Sequence, residues 1–194
     1  MPLVLASSSA IRRAMLDQAG LTYEVVPPAI EEDEVQARHD GADFELALAL
    51  AEAKAGEVSA RRPDDWVIGG DSVISVEGRR FSKPQTRAEA AEHLRFFSGR
   101  PMRLVSSVAL ARAGKVEWNH ISDAVLNVRP LGAGFIESYL DVEWPQVAYC
   151  VGVFRMEGLG VTLFDEVEGD HFTILGLPLL PLLGALRERG LMPS

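Results

Sequence analysis

Hydroxyl and basic side chains stand close together near the start of the chain. The apolar run Leu3 to Ala6 is followed by Ser7-Ser8-Ser9 and then by Arg12-Arg13 at the start of a helical pattern. Helix N-termini carry unpaired N–H groups and the positive end of the helix dipole, which favour phosphate. A guanidinium in the first turn can fork onto phosphate oxygens. The pattern is typical of a phosphate-binding site, but a capped helix with surface arginines has the same sequence pattern.

A carboxylate follows two glycines in Gly69-Gly70-Asp71-Ser72. We expect this segment to interrupt the apolar run that begins at Trp66, because paired glycines allow a tight approach of the backbone. A carboxylate at such a point can hold a metal or activate water. The alternative is an ordinary turn.

Lys83 is predicted to lie beside Asp71. Glu77-Gly78 is typical of a two-residue hairpin turn between strands over 72–76 and 79–82. Continuing the pairing outward places Lys83 opposite Ser72 and Pro84 opposite Asp71, which makes Lys83 and Asp71 close neighbours at the open end of the hairpin. A carboxylate beside an ammonium suits phosphate cleavage, since the ammonium screens phosphate charge. A surface ion pair of little consequence is the alternative.

Glu31 and Glu32 are candidate metal carboxylates, because Mg²⁺ is held by one or two carboxylates together with phosphate oxygens and water. The acidic run 31–34 is otherwise interpreted as a solvated loop. Lys54 lies late in an alanine-rich helical segment, where helix propensity alone also explains a lysine.

These residues sit on a pattern that predicts an α/β protein with a substantial antiparallel part. Ser9 is a predicted helix N-cap, and Thr86-Arg87-Ala88-Glu89 is a capping box. The predicted helices cover 10–19, 44–58, 86–97, 135–142 and a last helix whose first residue is Pro181. The predicted strands cover 3–6, 22–26, 66–68, 72–76, 79–82, 104–111, 116–128, 151–154, 161–164 and 172–175.

Composition narrows the class of protein. The chain has 194 residues, a net charge of −9 and one cysteine, Cys150. We expect no binding to long nucleic acid, which needs a basic face. No basic stretch precedes an apolar run at the N-terminus, and the longest apolar run, Ile174 to Leu186, is broken by prolines. We therefore expect a cytoplasmic protein that is not bound to membranes.

Taken in their order along the chain, the motifs resemble those of the Maf family of nucleoside triphosphate pyrophosphatases. The resemblance covers nearly the whole chain. The segments that carry the resemblance are Leu5-Ala6-Ser7-Ser8-Ser9 with Arg12-Arg13, Glu31-Glu32, Leu50 to Ala55, Gly70-Asp71-Ser72-Val73, Lys83-Pro84, Leu94 to Gly99, Gly158-Leu159-Gly160, and Glu168-Gly169-Asp170 with Gly176-Leu177-Pro178-Leu179. The stretch from Val151 to Gly160 is most similar to the branch that acts on 7-methyl-GTP. Departures are Ala10 where a proline is usual, and Ser82 where a glycine is usual.

The resemblance implies a role for each candidate. Asp71 is implied as the general base and, with Glu32, as a holder of a divalent cation, Mg²⁺, Mn²⁺ or Co²⁺. Arg12 and Lys83 are implied as catalytic contacts to the triphosphate. The implied substrate-binding residues are Ser7, Ser9, Ile11, Arg13, Lys54, Ser72 and Glu157. Of these, Ile11, Ser72 and Glu157 fall where the family tunes its base preference, and a glutamate can accept hydrogen bonds from a guanine edge.

The resemblance also implies the fold and the reaction. The fold would be Maf/inosine-triphosphatase-like, a single domain over 1–194 with a curved mixed sheet, flanking helices and two lobes around a cleft, forming a homodimer. The reaction would cleave a modified nucleoside triphosphate between its α and β phosphates. Two alternatives stay open: a nucleotide-sensing regulator of septum formation without essential catalysis, and a phosphatase that releases orthophosphate.

Overall fold

The fold is mixed α/β. A computed structural model describes residues 2–39 and 41–193. The strands are β1 Leu3–Ala6, β2 Glu24–Val25, β3 Trp66–Val76, β4 Arg79–Phe81, β5 Pro101–Arg112, β6 Lys115–Val128 and β7 Phe164–Glu168. The helices are α1 Ala10–Gln18, α2 Glu32–Ala37, α3 Asp43–Arg61, α4 Arg87–Phe97, α5 Ala133–Glu143, α6 His171–Ile174 and α7 Leu179–Glu188, with 3₁₀ helices at Gln146–Tyr149 and Leu159–Leu163.

The strands form one seven-stranded mixed sheet. Six of them follow the order β2-β1-β3-β5-β6-β7, and β4 pairs with β3 beside this path. Strand β1 runs parallel to β2 and to β3, whereas β3–β4 and β6–β7 are antiparallel. The expected mixed sheet with flanking helices is confirmed.

The chain packs as two compact units. The first unit comprises Met1–Ser72, Val105–Ser122 and Asp170–Ser194, and the second comprises Val73–Leu104 and Asp123–Gly169. Strands β3, β5 and β6 contribute residues to both. A single domain over 1–194 with a cleft between lobes stays a prediction.

The core of the first unit joins its two terminal helices to the sheet. Strand β1 is buried along its whole length, and α1 adds Met15 and Leu16. Helix α7 packs on the same cluster through the predicted apolar face, which consists of Leu179, Leu182, Leu183 and Leu186. The Ser9 cap is confirmed, since its hydroxyl accepts from the backbone N–H of Arg12 at 3.4 Å.

Strand β3 is continuous, so the expected interruption at Gly69-Gly70-Asp71 is wrong. The strand runs from Trp66 to Val76 without a turn. A Cβ built on Gly69 would overlap the carbonyl oxygen of Ala51 and lie 2.7 Å from the backbone nitrogen of Ala55. Glycine is therefore required there because helix α3 packs directly on the strand.

The second unit contains the predicted hairpin. Glu77 and Gly78 both have positive φ, 53° and 76°, as a type I′ turn requires. The register pairs Val76 with Arg79 as predicted and extends to Ile74 and Phe81. Helix α4 is capped by Thr86, whose hydroxyl accepts from the N–H of Glu89 at 3.1 Å, so the Thr86 half of the predicted capping box is confirmed. The carboxylate of Glu89 accepts at 2.7 Å from the N–H of Gln85, one residue before the cap.

Short segments account for the remaining errors. The acidic run from Glu32 begins helix α2 rather than a loop, because acidic side chains in a first turn favour the helix dipole. Of the three late predicted strands, 151–154 contains a turn, 161–164 is mostly 3₁₀ helix, and 172–175 is largely helix α6. Apolar runs this short do not distinguish strand from helix.

The last helix begins earlier than expected. Helix α7 starts at Leu179, with Pro178 as its N-cap, so Pro181 is its third residue rather than its first. Proline is accepted in the first turn because the N–H groups there have no partner within the helix. In the described parts of the chain, no helix has the length and apolar character needed to cross a bilayer.

Candidate functional site

Asp71 lies in the middle of strand β3, buried, and bonded to a lysine. The Nζ of Lys54 donates to its Oδ1 at 2.6 Å. The same Nζ lies 2.8 Å from Oε1 of Glu32. Lys54 is itself only 6 % exposed. Two carboxylates from different elements therefore converge on one cation position.

The alternation of strand β3 explains this arrangement. Side chains two residues apart on a strand share a face. Gly69 faces helix α3, so Asp71 faces α3 as well, and Lys54 of that helix reaches it. The absent side chain at Gly69 thus lets the lysine-bearing helix come close enough to form the pair.

The opposite face of β3 meets Arg12. A Cβ on Gly70 would lie 3.5 Å from Arg12 Nε, and Ser72 accepts from Arg12 Nη2 at 3.2 Å. Arg12 Nε also donates to the carbonyl of Gly176 at 2.8 Å. Arg12 is held at several points, which fixes the direction of its fork.

Burial lowers the pKa of the Arg12 guanidinium below its ordinary value, whereas the nearby carboxylates Asp71 and Glu32 raise it. A guanidinium ordinarily stays protonated in proteins. Arg12 therefore brings a fixed positive charge into the electrostatic reach of both carboxylates.

The predicted phosphate segment leads from β1 into this cluster. Strands β1 and β3 are parallel and Ala6 pairs with Gly69, so Ser7 follows the end of β1 close to the level of Gly70, one residue before Asp71. The Ser7 hydroxyl is buried and accepts from Ser9 N–H at 3.2 Å and from Arg12 Nη1 at 3.5 Å. Ligands of parallel sheets bind at these carboxyl ends of strands.

Two other predicted site residues of this segment, Ile11 and Arg13, lie outside the cluster around Asp71 and Arg12. Ile11 packs against the core that α1 and α7 share. Arg13 is exposed, and its carbonyl accepts from the hydroxyl of Tyr23 at 3.1 Å. The structure therefore brings Ser7, Arg12, Glu32, Lys54, Asp71 and Ser72 together and leaves Arg13 outside this set of contacts.

Sequence reasoning missed a relay of hydroxyls behind Arg12. Ser106 donates to the carbonyl of Thr173 at 2.8 Å and shares a 2.9 Å hydrogen bond with Ser72. A hydroxyl has one proton, so Ser72 is the donor to Ser106 and its lone pair receives Arg12. Two consecutive serines inside the apolar strand β5, Ser106 and Ser107, were the available signal.

Lys83 and Glu157 belong to the second unit, and both are exposed. Burial raises the pKa of the Cys150 thiol to about 11; Glu157 adds to the rise and Lys83 opposes it. The charges of Lys83 and Glu157 therefore both act on the surroundings of Cys150 in the second unit. That Lys83 lies beside Asp71 stays a prediction.

The cluster combines two carboxylates with two positively charged side chains. Within 2–39 and 41–193, no three His, Cys, Asp or Glu side chains meet as a metal cluster. In the first unit Lys54 contacts both carboxylates and the charge of Arg12 interacts with theirs. Positive groups beside a carboxylate are suited to binding an anion and activating water next to it.

The fold and the site together define a mixed α/β protein with a buried acid–lysine pair and a fixed arginine just beyond the parallel ladder of β1 and β3. The chain belongs to the Maf family, whose profile, described as Maf-like protein, matches residues 2–189.

Relatives cover almost all of the chain. A Nitrobacter hamburgensis protein named nucleoside triphosphate pyrophosphatase is 47% identical over 193 residues, 98% of this chain and 95% of that protein. A Rhizobium etli protein named 7-methyl-GTP pyrophosphatase is 47% identical over 191 residues, 97% of this chain and 96% of that protein.

Solved structures are more distant. A Staphylococcus aureus Ham1 protein is 16% identical with a TM-score of 0.45, and covers 98% of this chain and 100% of its own. A Mycobacterium abscessus dITP/XTP pyrophosphatase is 22% identical with a TM-score of 0.41, and covers 66% of this chain and 73% of its own.

Proposed function

We propose that this chain is a nucleoside triphosphate pyrophosphatase, which hydrolyses the bond between the α and β phosphates and releases a monophosphate and pyrophosphate. The observation that carries the proposal is the buried Asp71–Lys54 pair with Glu32 on the same ammonium and Arg12 within electrostatic reach. The names of the relatives from Nitrobacter and Rhizobium support the same reaction.

In this reaction Asp71 orients or deprotonates the attacking water. Its Oδ1 accepts from Lys54, which fixes the carboxylate and leaves its second oxygen to act on water. Arg12 and Lys83 stabilise the charge that develops on the departing pyrophosphate. Ser7 contributes a hydroxyl to the phosphate oxygens.

Asp71 and Glu32 would hold a divalent cation, Mg²⁺, Mn²⁺ or Co²⁺. The two carboxylates that would hold the cation lie close together, since Asp71 Oδ1 and Glu32 Oε1 lie 2.6 and 2.8 Å from the same Lys54 Nζ. When bound, such a cation would neutralise part of the negative charge of the phosphates.

We further propose 7-methyl-GTP or a similar modified purine nucleotide as the preferred substrate. Two Rhizobium relatives carry the name 7-methyl-GTP pyrophosphatase. Glu157 is the residue proposed to accept hydrogen bonds from the base, with Ile11 and Ser72 also tuning the choice.

The test is product analysis on a panel of nucleotides. Pyrophosphate and orthophosphate are measured separately with 7-methyl-GTP, GTP, dTTP, UTP, CTP and ITP and each of the three metals. Pyrophosphate release, fastest with 7-methyl-GTP, is expected. Orthophosphate as the first product would show a phosphatase, and nucleotide binding without turnover would show a sensor, so either result overturns the proposal.

A further inference from the structure

The segment around Glu157, which runs from Val153 to Leu159, has a strained backbone at its buried valine. Val153 has a φ of 55° and is fully buried. A β-branched residue in this left-handed region is a genuine outlier, because its side chain crowds the backbone. Such a conformation persists only where surrounding contacts enforce it, and it is concentrated at binding sites.

Helix α5 supplies those contacts from one face. The hydroxyl of Tyr139 donates to the carbonyl of Val153 at 2.9 Å. Four residues along, Glu143 accepts from Arg155 Nε at 2.8 Å and from the N–H of Leu159 at 2.9 Å. Residues four apart lie on one helix face, so a single helix holds the segment at three points.

Glu143 is a carboxylate that is almost completely buried, with 2 % of its surface exposed. Burial raises the pKa of Glu143, but its bonds to Arg155 and Leu159 outweigh burial, so the pKa lies below its ordinary value. A Cβ on Gly158 would come within 2.7 Å of Glu143 Oε1. The segment therefore packs directly against the ionised carboxylate of Glu143.

Glu157 lies between the two anchors of Glu143. Arg155 precedes it by two residues and Leu159 follows it by two. The negative charge of Glu157 contributes to the raised pKa values of Tyr139 and Cys150, after burial as the main cause in both. The exposed Glu157 thus projects from a stretch whose two sides are fixed to α5.

We propose that Glu143, assisted by Tyr139, is a positioning residue that holds Glu157 in place and thereby sets the preference for one nucleobase. The inference rests on the proposed function. It assigns no contact with substrate to Glu143, which acts through Glu157.

The main experiment compares Glu143→Gln with wild type by steady-state kinetics of pyrophosphate release on the nucleotide panel. The ratio of kcat/KM for the preferred nucleotide to that for the poorest should fall about tenfold, which corresponds to one lost charge-assisted hydrogen bond. The change should appear in KM, while kcat stays near wild type, because the contacts of Asp71, Lys54 and Arg12 are made within the first unit.

Glu137→Gln is the matched control. Glu137 is on the same helix, and its carboxylate pairs with Arg87 at 2.7 Å instead of contacting the segment around Glu157. It should keep the wild-type ratio. Tyr139→Phe, which removes one hydroxyl, is the second variant if Glu143→Gln does not fold, and it should lower the ratio in the same direction.

A double-mutant cycle with Glu157→Gln distinguishes positioning from a general structural effect. If Glu143 acts through Glu157, the double variant should be no less selective than Glu157→Gln alone. Additive losses, or an unchanged ratio in both Glu143→Gln and Tyr139→Phe, overturn the inference. The absence of pyrophosphate release from wild type would instead fail the proposed function itself, and the inference with it.

Cys150 provides a readout that is independent of turnover. It is the only cysteine in the sequence, and burial keeps its thiol pKa high, at about 11. Loosening of the segment in Glu143→Gln should speed its reaction with a disulfide reagent, and Glu137→Gln should react like wild type. An unchanged thiol rate together with an unchanged nucleotide ratio would show that Glu143 does not hold this segment.

Discussion

At the scale of single residues, the site depends on the buried Asp71–Lys54 pair, to which the exposed Glu32 adds a second carboxylate. Lys54 lies between Asp71 and Glu32, and all three belong to the first unit. Removing one member of a buried pair costs more than the pair contributes, because the remaining charge loses its partner. The roles of these residues are therefore best separated by isosteric changes.

Asp71→Asn should lower kcat by about 10²–10⁴-fold, the range for loss of a general base, with little loss of fold. Pyrophosphate release and thermal unfolding are the measurements. Asp65→Asn is the matched control, since Asp65 is equally buried and pairs with Arg62 at 2.6 Å in the same unit. It should keep its activity. Near-full activity of Asp71→Asn would exclude it as the base.

The residue types could be predicted from the sequence, but their partners could not. Asp71, Arg12 and Lys54 stood in recognisable motifs. The hydrogen bonds from Arg12 to Gly176 and through Ser72 to Ser106 join residues far apart in the chain, and no local pattern encodes such contacts.

At the scale of elements, the packing of helix α3 on strand β3 decides whether the site can form. Gly69→Ala should place a methyl group into the backbone of α3 around Ala51 and Ala55. Overpacking costs about 1–3 kcal/mol, and here the obstacle is backbone that cannot rotate away. Denaturant unfolding should show this loss, and activity should fall because Lys54 moves with the helix.

Gly70→Ala is the adjacent control for this variant. Its new Cβ would lie 3.2 Å from the carbonyl oxygen of Ser107 and 3.4 Å from Leu177. Small adjustments relieve such contacts, so its loss of stability should be clearly smaller. Equal stability of Gly69→Ala and wild type would contradict close packing at this point.

Helix α4 carries a histidine that should make stability depend on pH. Burial lowers the pKa of His93 below 6.5, and among nearby charges Glu89 and Glu92 raise it while Arg79 lowers it. Among described residues, its Nδ1 is a buried side-chain atom without a hydrogen-bond partner. Its ring packs edge-on against Phe81.

Because the folded state binds the proton more weakly than the unfolded state, the contribution of neutral His93 is fully present above pH 6.5. It is lost as the pH falls below that value. His93→Phe should therefore flatten the fall in unfolding free energy between about pH 7 and 5, measured by denaturant titration. An unchanged slope in His93→Phe would contradict the assignment.

Element prediction succeeded where the pattern was long and was uneven where it was short, since the four-residue strand β1 was predicted at its observed bounds but other runs of that length were not. Helices α3, α4 and α5 and strands β5 and β6 were predicted to within a few residues at each end. The errors at 151–154, 161–164 and 172–175 concern runs of four residues, for which tertiary packing and capping decide. Asp170, for example, caps helix α6 by accepting from Thr173 at 2.8 Å.

At the scale of the whole molecule, the net charge of −9 contrasts with the local gathering of Arg12 and Lys54. An acidic surface disfavours polyanions that span many residues, whereas a compact triphosphate meets only the local field. Homodimer formation and a cytoplasmic location stay predictions from the resemblance and the composition.

Alternate residues of strand β3 face two different parts of the site. The effect of an insertion or deletion should therefore depend on where in the strand it falls. Odd positions 69 and 71 serve helix α3 and the carboxylate, and even positions 70 and 72 serve the guanidinium of Arg12. One residue added before Gly69 would exchange the two faces, whereas a residue added beyond Val76 would leave both in place. Variation in length should therefore be tolerated at the Glu77-Gly78 turn and rejected upstream of it.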